Sequence, residues 1–157
     1  YEDADLSAKF IKKLSEVYRY VLETREKDIV PLSEELKFVR SYIFLQKIRH
    51  EESLVFVLED VDLSEDYIVP LSVQMLVENA LKHNVVSQDE PLVVRIFKKD
   101  DRLVVENNLQ KKNILQEESS GIGLENIKAR YGMLSSGEVS ISEENHLFSV
   151  SLPIIKN

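Results

Sequence analysis

The chain has 157 residues, 43% of them apolar and 31% charged, a balance that supports one packed core and argues against a disordered segment. A net charge of −8, from 28 acidic and 20 basic residues, excludes a bare nucleic-acid binder, though not a nucleotide site, which needs only a few local cations and a magnesium ion. The absence of cysteine excludes disulfides and thiolate metal sites, and no apolar run is long enough to cross a bilayer or to read as a signal peptide.

Residues 3–28 read as a helix, because Phe10, Leu14, Val17 and Val21 fall on one stripe while Lys12, Lys13, Glu16 and Arg19 face elsewhere. Pro31 ends any continuation. Ser33 then offers an N-cap to a second helix, with Glu34 and Glu35 in its first turn, where the helix dipole favours acids. That helix runs to about Glu52 and carries Leu36, Val39 and Ile43 on one face. The two helices form an appendage over residues 1–52, and a separate unit is expected over 53–157.

The second unit mixes both periodicities. Leu54–Leu58 reads as a strand, and Pro70 suits the first turn of a helix that ends near Asn84. Leu92–Phe97 and Leu103–Val105 read as a hairpin turned by Lys99-Asp100-Asp101-Arg102, followed by a polar loop over 108–120. A helix is expected from Gly123 to Tyr131. Two last strands, around Val139 and Ile141 and around Phe148, Val150 and Leu152, are joined by a turn at Glu144-Asn145. Helices interleaved with mostly antiparallel strands predict an α/β fold, a two-layer α/β sandwich preceded by two helices.

Two motifs carry chemistry. In Leu76-Val77-Glu78-Asn79-Ala80-Leu81-Lys82-His83-Asn84, a helix at about 100° per residue places Asn79, Lys82 and His83 within one arc, opposite Leu76, Val77, Ala80 and Leu81. An amide oxygen suits magnesium and an ammonium suits phosphate. The competing reading is an amphipathic helix with a solvated polar face. In Ser119-Ser120-Gly121-Ile122-Gly123-Leu124-Glu125-Asn126-Ile127, two of four glycines precede a helix. There the backbone can approach a phosphate and the helix end offers free N–H groups.

The order of these motifs resembles the ATPase domain shared by histidine kinases, gyrase, Hsp90 and MutL, the Bergerat fold. More narrowly, the chain is similar to LytS/YehU-type sensor histidine kinases. Leu14–Tyr20, Val30–Leu36, Tyr42 and Gln46–Arg49 look like that family's kinase-core segment. Val77–His83 looks like its asparagine box, and Gly121–Ile127 with Arg130-Tyr131 like its second glycine box.

The resemblance implies an ATP-binding catalytic domain of a two-component sensor kinase, with ATP and Mg as cofactors. Asn79 would hold the magnesium, Lys82 would meet phosphate and His83 would flank the nucleotide. Gly121 and Gly123 would close a flexible lid, residues 109–120, over the phosphates, with Ile122 beside the cofactor, and Leu124 would pack in the core. It further implies a response-regulator partner of the DNA-binding LytR type, a homodimer formed through the N-terminal helices, no direct nucleic-acid binding, and a cytoplasmic position in a bacterial inner-membrane protein.

The chain departs from the pattern at two places. Met75 stands where many relatives carry an acid or amide one turn before the asparagine, which suits transfer to a histidine better than ATP hydrolysis or a gyrase-like clamp. Glu78 points about 100° away from Asn79 and reads equally as an i,i+4 partner of Lys82. Asn107 stands where the family has an aspartate for the adenine amino group, and Leu109 where it has glycine, so a degenerate, non-catalytic dimerisation and signalling module is the alternative. The acceptor histidine is expected before residue 1. His50, at a helix end, and His146, in a turn, read as surface residues, and Tyr18 and Tyr20 as packing residues.

Overall fold

The computed structural model describes residues 2–59, 65–112, 122–134 and 137–156. Helix α1 spans Glu2–Thr24, a two-residue strand β1 spans Val30–Pro31, and helix α2 spans Leu32–His50. A turn of 3-10 helix at Glu51–Ser53 leads into β2 (Leu54–Leu58), followed by β3 (Asp66–Ile68) and helix α3 (Ser72–His83). The hairpin β4 (Leu92–Lys99) and β5 (Arg102–Asn108) precedes helix α4 (Ile122–Leu134), then β6 (Ser140–Glu144), β7 (Leu147–Pro153) and β8 (Ile155–Lys156).

The main sheet has strand order β2-β4-β5-β7-β6, parallel only between β2 and β4. Its period-two pattern sends Leu92, Val94 and Ile96 of β4, Leu103 and Val105 of β5, and Val150 and Leu152 of β7 into one core. The helical layer meets them with Val73, Leu76, Val77 and Ala80 of α3 and Ile127 and Tyr131 of α4. The predicted two-layer α/β sandwich is present. The tight turns fall where polar residues tolerate left-handed backbone: Asp100 at φ 54°, and Asn145 and His146 at φ 53° and 62°.

A second sheet, β1-β3-β8, was not legible as strands because its members are two or three residues long. Asp66, with no side-chain exposure, ties it to the main sheet through Lys98 at 2.8 Å and also pairs with Lys156. The pair of lysines holds the Asp66 carboxyl below its ordinary range against the opposing effect of burial.

One core runs across residue 53. Leu32, Leu36, Val39 and Ile43 of α2 belong to the same buried cluster as the sheet, so α2 is a wall of the sandwich. Helix α1 runs antiparallel along α2, with Tyr20 stacked on Phe38 at 4.2 Å and Ser41 donating to Glu16 at 2.9 Å. Its other face leaves Ile11, Tyr18 and Leu22 exposed, and Leu6 is exposed near its start.

Two local expectations change. Pro31, not Ser33, sits at the N-cap of α2, and no side chain caps that helix. Pro70 lies before α3 rather than in its first turn, because Leu71 takes the cap position in a left-handed conformation at φ 66°. Glu35 lies in the first turn of α2, as expected, and is completely buried.

Candidate functional site

Helix α3 buries Val73, Leu76, Val77 and Ala80 against the sheet, and this orientation fixes where its polar residues stand. Asn79 is half-buried and its side chain makes no hydrogen bond to a described residue. It faces the start of α4. A Cβ placed on Gly123 would stand 3.4 Å from Asn79 Nδ2, 3.5 Å from its Oδ1 and 3.6 Å from Met75 Cε. The fold therefore brings the two sequence motifs together, and the hydrogen at Gly123 keeps a methyl group off the Asn79 amide. Gly121 lies outside the described residues, as does the side chain of Ile122.

Lys82 is exposed near the end of α3. It does not pair with Glu78 among the described residues, contrary to the i,i+4 reading. Glu78 is exposed and accepts instead from Gln74 Nε2 at 2.8 Å, the i,i+4 neighbour on its other side.

The first residues of the expected lid are pinned. Val85 N–H donates to Gln110 O at 2.8 Å and Lys112 N–H to His83 O at 3.1 Å, with an antiparallel bridge between Asn84 and Lys111. Asn84 is buried, accepts from Gln110 N–H at 2.8 Å and donates to Ala80 O at 3.0 Å, closing the C-terminus of α3. Leu109 N–H donates to His146 O at 2.8 Å. Residues 109–112 thus extend β5 along the end of α3, while 113–120 lie outside the described residues.

This stitching introduces Lys112, a residue that sequence reasoning missed. The signal was the pair Lys111-Lys112 in an acidic chain, obscured because the segment reads as polar loop. Burial pushes the His83 imidazole below its ordinary pKa, and Lys82 and Lys112 push it further. His50, at the end of α2, is lowered in the same way by burial, Arg49 and Lys112. Burial and neighbouring cations at the end of α3 thus both disfavour the charged form of these imidazoles.

Asn107 is 5% exposed and points to the helical face of β5, in register with core residues Leu103 and Val105. Its Nδ2 donates to Asn108 O at 2.9 Å, which fixes the amide orientation, since the flipped amide would set oxygen against oxygen. The Oδ1 atom makes no hydrogen bond to a described residue and is left as an acceptor. Asn108 faces the other way, accepting from Val93 N–H at 2.8 Å and donating to Pro91 O at 3.1 Å.

Comparison with known proteins gives a consistent result. A family model described as histidine kinase matches residues 1–54. The sensor protein LytS of Enterococcus faecalis is 29% identical over 161 aligned residues, covering 92% of this chain and 27% of that protein. The sensor histidine kinase YesM of Bacillus subtilis is 32% identical over 136 residues, covering 80% of this chain and 24% of that protein. The chain thus spans about a quarter of the length of these relatives.

Among solved structures, the cytoplasmic segment of histidine kinase QseC matches with a TM-score of 0.55 at 15% identity, covering 94% of this chain and 95% of that one. The catalytic domain of histidine kinase ThkA matches with a TM-score of 0.56 at 18% identity, covering 80% of this chain and 95% of that one. At such identity the likeness shows the fold, which is that of histidine-kinase catalytic domains.

Proposed function

From a chain that is a relative of the LytS-type sensor histidine kinases and has the fold of histidine-kinase catalytic domains, we propose an ATP-binding module of a two-component sensor kinase. The observation that supports this most is the contact of Gly123 with the Asn79 amide, which joins two motifs 44 positions apart (123 − 79) into one site.

The residues fit Mg-ATP. Asn79 offers a half-buried amide oxygen with no hydrogen-bond partner among the described residues, suited to a magnesium ion. Bound magnesium neutralises phosphate charge. Lys82 and His83 would meet the phosphates, with Gly123 at the start of α4 beside Asn79; Gly121 and Ile122 are assigned to the same site by their place in the motif alone. Asn107 Oδ1, in a nearly dry position, accepts from the adenine amino group. Catalysis here consists of positioning and charge neutralisation, and the γ-phosphoryl group passes to a histidine outside residues 1–157, then to a response regulator of the LytR type. The unpartnered apolar residues of α1 suit pairing with a second copy. We place the segment on the cytoplasmic side of a bacterial inner membrane; among the described residues no helix is long and apolar enough to cross one.

A second reading, a signalling module that has lost nucleotide binding, is favoured by one observation: the adenine position holds a neutral amide already engaged with Asn108 O. Calorimetry with ATP in magnesium and in EDTA separates the two. The ATP-binding reading requires that Asn79→Ala weaken binding in magnesium and leave binding in EDTA nearly unchanged. No binding by the unaltered chain supports the degenerate reading.

A further inference from the structure

Helix α3 carries Asn79 but brings no cap of its own. No side chain within the helix caps it, no acid lies in its first turn, and its cap residue Leu71 is held at φ 66°, a conformation that non-glycine residues avoid. The cap comes from another helix. Glu35, on the first turn of α2, is completely buried. Its Oε1 accepts from Leu71 N–H at 3.0 Å and its Oε2 from Val73 N–H at 3.2 Å. A carboxylate across the start of a helix satisfies two of its free N–H groups and meets the positive end of its dipole.

The same carboxylate has a third donor, from a third helix. Tyr20 of α1 donates to Glu35 Oε1 at 2.6 Å, and its ring is fixed by stacking on Phe38. The segment before α3 is also held by α4: Arg130 donates to Pro70 O at 2.9 Å, and Val69 N–H donates to Tyr131 Oη at 3.4 Å. Burial pushes the Glu35 carboxyl upward, and its hydrogen bonds with the Arg130 charge oppose that push. A cap alone would not need Tyr20. An apolar side chain there would leave the Leu71 and Val73 N–H groups and the Tyr20 hydroxyl without their acceptor, so this one carboxylate ties three helices together.

We propose that Glu35 is a positioning residue that, through Tyr20, couples the placement of α1 to the first turn of α3, and so to the Asn79 amide two turns further along. This deepens the reading of α3 as the nucleotide helix and rests on it. A shift of α1 along α2 withdraws the Tyr20 hydroxyl, loosens the carboxylate, and releases a turn already strained at Leu71. Asn79 then moves relative to Gly123 on α4. By linkage, a ligand that fixes Asn79 also fixes α1.

The test uses the full 157-residue chain. Tyr20→Phe keeps the ring stack and removes one hydroxyl. Amide exchange at Leu71 and Val73 should rise about tenfold, the factor for losing one hydrogen bond to a charged group, while amides of β4 and β5 keep their rates. The dissociation constant for Mg-ATP should rise about threefold to tenfold. In the unaltered chain, saturating Mg-ATP should slow exchange around Tyr20; in Tyr20→Phe it should not. Glu35→Gln, which keeps the shape but turns an N–H toward one of the donors, should show the larger effect at Leu71 and Val73; if it does not fold, Tyr20→Phe alone decides.

A uniform rise in exchange, a fall in melting temperature without selective change at Leu71 and Val73, or unchanged rates there overturns the coupling. Failure of the unaltered chain to bind Mg-ATP defeats the nucleotide reading separately. The exchange measurement then still decides whether α1 holds the start of α3.

Discussion

Gly123 stands against the Asn79 amide so closely that a Cβ there would lie 3.4 Å from Nδ2 and 3.5 Å from Oδ1. Those distances are ordinary contact, so an alanine fits without displacing the helices. What it takes away is the open space over the amide.

Gly123→Ala should therefore separate stability from binding. Gly123 lies in the first turn of α4, where alanine stabilises a helix by up to about 1 kcal/mol over glycine, less near a terminus. Thermal melting should show unchanged or slightly raised stability. Calorimetry should show Mg-ATP affinity reduced about tenfold, roughly 1.4 kcal/mol, as the methyl group crowds the magnesium ligand. Unchanged affinity would move the magnesium away from Asn79.

Asn107→Asp should improve binding at a cost in stability. The substitution replaces a neutral acceptor by a charged one, which should tighten Mg-ATP binding by about 1 kcal/mol. It also removes the Nδ2 donor to Asn108 O and buries a carboxylate at a position only 5% exposed. The ligand-free variant should lose about 1–3 kcal/mol in a denaturant titration. Equal affinity of the two proteins, with the stability loss present, would show that adenine does not meet Asn107.

The strands and helices with clear periodicity were legible in the sequence. Leu92 to Phe97 is a β-rich run and α3 carries an apolar stripe, because burial against a common core favours such residues. The asparagine and glycine motifs were legible as two pieces. Their contact was not, since it depends on how α3 and α4 pack. The further role of Glu35 was not legible for a related reason: an acid in a first turn ordinarily serves its own helix, and nothing local reveals that Leu71 and Val73 offer their N–H groups to it. Lys112 was hidden because a polar run reads as loop unless the bridge from Asn84 to Lys111 is known. The short strands β1, β3 and β8 are too brief to show any period.

The histidines predict a pH dependence. Burial, with Lys82 and Lys112, holds His83 below its ordinary pKa of 6.5, and burial, with Arg49 and Lys112, does the same for His50. Between the lowered folded values and 6.5 the unfolded chain binds more protons. The stability from these groups is therefore full above 6.5 and is lost as pH falls through the folded values. Phosphates beside His83 should raise its pKa, so Mg-ATP should bind more tightly as pH falls from about 8 to about 6. NMR titration of the imidazoles checks this, and Lys112→Ala should raise both histidines without ligand. If Mg-ATP leaves the His83 titration unmoved, the phosphates lie elsewhere.

The last prediction concerns labelling by ATP. The chain holds three histidines, and the structure gives each a place. His146 lies in the β6–β7 turn at φ 62°, with its carbonyl accepting from Leu109. His50 closes α2, and His83 ends α3, the helix that carries Asn79 and Lys82. His83 is nearest the proposed phosphates, yet it belongs to the wall that binds them. In-line transfer needs a nucleophile opposite the leaving oxygen, about 3 Å from phosphorus, and a residue of the binding helix is poorly placed to reach that side. Incubation of these 157 residues with radiolabelled ATP should therefore give no phosphohistidine. A longer chain that includes the residues preceding Tyr1 should become labelled, with the label lost in acid and kept in base. Acid-labile phosphate on the present chain would place an acceptor among His50, His83 and His146. Absence of label on the longer chain, with Mg-ATP bound, would leave a nucleotide-binding module without kinase activity.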